Sequence, residues 1–174
     1  MLYFDAGASS WDEGDGGPSL KYFTKIWARQ GIDFDAVRAY EMNTTAESFS
    51  ATVPEEFRER TVFQQCAVSS SPEGASNDHP FLPQEISRLA QDDDYVLFKL
   101  DIDSPLIEDG SIRYILKHDI KVDEIAWEHH VSGNPIMKRI WKRGGGAIAD
   151  MTLRESYELF LQMRQKGIRA HSWV

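Results

Sequence analysis

Along this chain, short apolar runs alternate with longer stretches in which apolar residues return every three or four positions. LYFD opens the chain at residue 2 and reads as a strand ending at Asp5. Leu20, Phe23, Ile26 and Trp27 then recur at helical spacing, with Gly31 as a natural stop. AVRAYEM (36–42) reads as a second strand. A helix falls somewhere in 44–60, its better half starting near Pro54. TVFQQCAVS (61–69) is a strand, LPQEISRLAQ a short helix, and YVLFKLDID (95–103) a strongly apolar strand. LIEDGSIRYILKHD is helical, weakened by Gly110. VDEIAWEHHV (122–131) is a strand, and 132–151, with Gly133, Pro135 and three glycines at 144–146, a loop. LRESYELFLQMRQKG is a helix and IRAHSWV a closing strand. Phe23, Trp27, Phe160 and Leu161 are the expected core residues of their helices, and Cys66 a small buried hydrophobe.

Six strands alternating with helices predict an α/β fold. Its sheet would be Rossmann-like, doubly wound and mainly parallel, with helices on both faces. The unbroken apolar run YVLFKL is what a strand buried on both faces requires. Residues 1–174 fit one domain. Because the chain opens inside a core strand, we expect a domain cut from a longer protein.

A net charge of −9 argues against a general nucleic-acid surface. No apolar run approaches the ~20 residues of a membrane helix. The lone Cys66 excludes an intrachain disulfide, and Asp5 comes too early for a signal peptide. These features lead us to expect a cytoplasmic location.

The strand ends carry the chemistry. Asp5, Glu41, Asp101 with Asp103, and Glu128 followed by His129 and His130 close four different strands. In a parallel sheet those ends share one edge, where open α/β sheets bind ligands. A polar group placed directly on a core strand is costly unless paired or used. An acidic residue after the second strand, here Glu41, suits the hydroxyls of a ribose. The first turn, DAGASS, has Gly7 as its one glycine, with Ser9 and Trp11 where a dinucleotide fingerprint places others. Asp5 would repel a pyrophosphate. A cationic adenosyl cofactor suits this turn better.

Taken in order, LYFDAGASS, AYEM, VFQQCAVSSSPEG, YVLFKLDID and IAWEHHV resemble the FkbM-like family of S-adenosylmethionine-dependent methyltransferases over most of the chain. Asp5, Gly7 and Ala8 match its D-x-G-A turn, with Ser9 following. Glu41 matches its acidic residue, Ala67, Val68 and Ser69 its A-V-S, and Lys99, Asp101 and Asp103 its K-x-D-x-E-G. The resemblance implies cofactor binding by Asp5, Gly7, Ala8, Ser9, Glu41, Ala67, Val68 and Asp101. It implies methyl transfer to an oxygen of a sugar or small molecule; His129 and His130, which follow the fifth strand, and Asp103 are the catalytic candidates. The chain departs from the family at Asp103, usually glutamate, at Ser104-Pro105, and in a longer first loop.

Two alternatives stand beside this reading. Asp101, Asp103, Glu128 and His130 offer ligands for a divalent metal, as in a sugar transferase carrying D-x-D. Or the domain binds without catalysis. Lys138, Arg139, Lys142 and Arg143 around Trp141 form a basic patch that would suit a lid recruiting an acidic acceptor, such as a charged glycan.

Overall fold

A computed structural model describes residues 1–13, 18–132 and 151–173. The basic patch and most of the 132–151 loop lie outside the described residues. Six strands run β1 (Leu2–Ala6), β2 (Ala36–Glu41), β3 (Thr61–Gln65), β4 (Val96–Leu100), β5 (Glu124–Glu128) and β6 (Arg169–Trp173). They form one sheet in the order β3-β2-β1-β4-β5-β6, and every pairing is parallel. This is the doubly wound, Rossmann-like α/β fold, with its switch of direction between β1 and β4.

Helices α1 (Ser19–Ala28), α2 (Ala46–Thr52), α3 (Leu82–Leu89), α4 (Pro105–His118) and α5 (Leu153–Gln165) cover the sheet. Tyr3, Val37, Ala39 and Leu97 face Leu20, Phe23, Trp27 and Phe49 of α1 and α2. Phe4, Val96, Phe98 and Ile125 face Leu82, Ile86, Ile112, Ile115 and Met163 of α3, α4 and α5. Alternate residues of one strand thus feed two separate cores, which explains why β4 is buried at all five positions.

Several expected boundaries shift. The 44–60 helix is two pieces, α2 and a 3-10 turn at Glu55–Arg60, because Pro54 lacks the N–H a continuous helix needs. Strands expected to reach Ser69, Asp103 and Val131 stop at Gln65, Leu100 and Glu128. Their last residues are ligand-edge loops. Helix α4 runs unbroken through Gly110, where a Cβ would come 3.2 Å from the Ser70 carbonyl oxygen. Gly110 therefore permits a close approach to the loop after β3. Leu161 is 54% exposed, whereas Leu159, Phe160 and Met163 form the buried face of α5. Leu161 is rotated about 100° from Phe160 on the helix and points off that face.

Candidate functional site

Strand register sets out the ligand edge. Ala6 pairs with Tyr40 on one side and Leu100 on the other, and Leu100 pairs with Trp127. The next residue of each strand therefore stands in one row: Glu41, Gly7, Asp101, Glu128. The sheet brings together residues that are up to 121 positions apart in the chain.

The turn after β1 is tightly bound to its own sheet. The N–H groups of Gly7 and Ala8 both donate to the Tyr40 carbonyl, at 2.9 and 3.2 Å. The Trp11 N–H donates to the Thr52 hydroxyl. Gly7 has φ +88°, and a Cβ there would stand 1.7 Å from the Asp101 carbonyl oxygen. The glycine is required because β4 passes so close. Ala8 is buried in the core and Ser9 is exposed.

Asp5 lies inside β1, one residue before its end, and is fully buried. Its Oδ2 accepts hydrogen bonds from the Tyr3 and Ser19 hydroxyls, each at 2.7 Å. Its Oδ1 faces the Lys99 ammonium at 3.3 Å. Lys99, 2% exposed, also reaches Asp101 at 3.2 Å and donates to the carbonyls of Ala6 and Gly7. Burial alone would lower the Lys99 pKa, but Asp5 and Asp101 outweigh it and hold the ammonium above its ordinary value. Asp5 thus anchors Lys99 beneath the turn, and Lys99 fixes the turn.

From Asp101 the chain of polar groups continues outward. Burial pushes the Asp101 carboxyl up to about 6, against the pull of Lys99 and with neighbouring Glu128 adding to the rise. Glu128 sits below its ordinary value: burial opposes this, and hydrogen bonds from His130 and Asp101 outweigh it. His130 Nε2 lies 3.4 Å from Glu128, and Nδ1 lies 3.3 Å from Glu108 Oε2. Burial would lower the His130 pKa, but Glu108 and Glu128 on its two sides carry it up to about 9.

Glu108 is 1% exposed in the first turn of α4. Its Oε1 accepts from the N–H groups of Ile102 and Ser104, at 3.1 and 3.4 Å. Sequence reasoning missed it. Its signal is the string S-P-L-I-E, a glutamate reaching back to the start of its helix, one residue later than in a capping box. Asp103 is exposed, has φ +55°, and offers a carboxylate oxygen to the same place as Glu128 and His130.

The two histidines diverge. His129 stacks on Trp127, ring centroids 3.8 Å apart, and pairs through Nδ1 with the Ser156 hydroxyl. Burial pushes it down to about 4. Glu41 is half-buried at the end of β2, and its Oε1 accepts from the Asn43 N–H at 2.7 Å. After β3, Ala67 is exposed, Val68 joins the core, and the Ser69 hydroxyl donates to the Ser71 carbonyl.

No family model, curated protein or solved structure matches the chain. No helix among the described residues is long and apolar enough to cross a membrane.

Proposed function

We propose that this chain binds S-adenosylmethionine at the edge of β1 and β2 and methylates a hydroxyl of a sugar or small molecule. The observation that carries the reading is the first turn. Phosphate sites in this fold rest on free N–H groups at that turn. Here the Gly7 and Ala8 N–H groups are taken by Tyr40, and carboxylates line the row on either side. Such an edge repels phosphate and suits a nucleoside with a positive charge. Glu41 is level with the turn, and in this reading it accepts from ribose hydroxyls.

When bound, the cofactor supplies an electrophilic methyl group on a sulfonium. An acceptor hydroxyl held at this edge would receive that methyl group, and the residues of the edge would orient it and take up its proton. The hydroxyl proton passes to a carboxylate at the same edge. We assign that role to Asp101, which Lys99 fixes beside Gly7. His129 and His130 hold the far side of the edge rather than take the proton, each engaged by a partner.

Calorimetric titration with S-adenosylmethionine and S-adenosylhomocysteine tests the reading, with Glu41→Ala beside the wild type. Losing hydrogen bonds to a carboxylate costs about 1.5–3 kcal/mol, so affinity should fall about ten- to a hundredfold. No binding to folded wild type, or binding indifferent to Glu41→Ala, would overturn it.

A further inference from the structure

The outer end of the polar chain has the makings of a second site. One ligand atom from each of Asp103, Glu128 and His130 lies within 4.8 Å of the other two. Asp103 comes from the loop after β4, Glu128 from the end of β5 and His130 from the segment just beyond it. We propose that these residues hold one divalent transition-metal ion, of the Mn²⁺ class.

Two features set this cluster apart from surface acids. First, the imidazole is buried and held from behind. Glu108 takes Nδ1, and Glu108 is itself fixed by two backbone N–H groups. That leaves Nε2 directed to Glu128. A carboxylate behind Nδ1 with Nε2 forward is the arrangement that orients metal-binding histidines and raises their basicity. Second, Glu128 Oε2 is shielded from water and faces His130 Nε2 at 3.4 Å, so a carboxylate oxygen and an imidazole nitrogen already converge on one point. A metal ion would take the place of the proton those two atoms face.

The donor set selects the ion. Two carboxylates and one imidazole form a mixed oxygen and nitrogen set, which suits Mn²⁺, Fe²⁺ or Zn²⁺ better than Ca²⁺. Donor atoms around a six-coordinate ion at ~2.2 Å stand about 3–4.4 Å apart, so a small inward turn of exposed Asp103 brings the three together. Metal binding displaces the proton from Nε2, and the Glu108 hydrogen bond remains. Three protein ligands leave positions open for oxygen donors. If the methyltransferase reading holds, on which this one consequence rests, the favoured acceptors carry two neighbouring oxygens, as a vicinal diol or hydroxy acid does.

The test titrates Mn²⁺ alone into metal-stripped protein, read by calorimetry and by the loss of free-ion electron paramagnetic resonance signal. One ion per chain is expected. Asp103→Asn, an exposed change that leaves the core untouched, should weaken binding at least tenfold. Glu128→Gln should do the same. Glu108→Gln should cost about ten- to a hundredfold through the imidazole. Glu41→Ala should leave metal binding unchanged. Neither Mn²⁺ nor Zn²⁺ binding to folded wild type would overturn the proposal, and so would binding that survives Asp103→Asn with Glu128→Gln. Because no adenosyl ligand is present, failure here is distinct from failure of cofactor binding.

Discussion

Replacing Lys99 by methionine removes the cation that Asp5 faces while filling nearly the same volume. The carboxylate it leaves behind is fully buried. Its Oδ2 keeps the Tyr3 and Ser19 hydroxyls, but Oδ1 loses its contact at 3.3 Å. The carbonyls of Ala6 and Gly7 lose a donor as well. Breaking one side of a buried ion pair costs about 3–5 kcal/mol. The two retained hydroxyl bonds place Lys99→Met at the lower end, about 3 kcal/mol. For a chain of this size that is a fall of about 6–12 °C in Tm. Thermal and urea denaturation followed by circular dichroism would measure it. Adding Asp5→Asn should recover part of the loss, because the amide oxygen still accepts from both hydroxyls and the uncompensated charge is gone. A coupling of at least about 1.5 kcal/mol between the two sites is expected. If Lys99→Met lies within about 1 kcal/mol of the wild type, the ammonium does not hold the turn and the account of the site's foundation fails.

Gly7→Ala forces a Cβ to 1.7 Å from the Asp101 carbonyl at a φ of +88°. Left-handed strain costs about 1–2 kcal/mol and overpacking about 1–3, so a loss of about 2–5 kcal/mol in urea denaturation is expected. An alanine variant of near-native stability would show that β1 and β4 do not press together there. Burial lifts the Cys66 thiol to about 11, so raising the pH from 8 toward 11 supplies the reactive thiolate and lowering it removes it. At pH 8 the native thiolate fraction is about one in a thousand, against about one in ten for a thiol at the ordinary value of 9.0. Native iodoacetamide labelling should therefore run about a hundred times slower than labelling in denaturant; equal rates would place Cys66 outside the core.

Periodicity alone distinguished helix from strand along most of this chain, because buried strands and two-faced helices need different spacings of apolar residues. The alternation of the two, together with right-handed crossovers, determined a parallel doubly wound sheet. Acidic strand ends were legible for the same reason: the chain leaves the core where Glu41, Asp101 and Glu128 stand. The tertiary structure decided what each carboxylate faces. Asp5 looked like a strand-end group open to a ligand, yet its side chain turns under α1 and meets Ser19 and Lys99. The side chain of Glu108 is buried because its helix packs beside β4 and β5, a contact no local pattern encodes. His129 and His130 are neighbours in sequence, but one stacks on Trp127 and the other is held between two glutamates. Local sequence sets backbone conformation and the sign of each charge. The pairing of charges 94 residues apart, Asp5 with Lys99, is set by the register of β1 against β4. That register follows from packing both faces of the sheet at once.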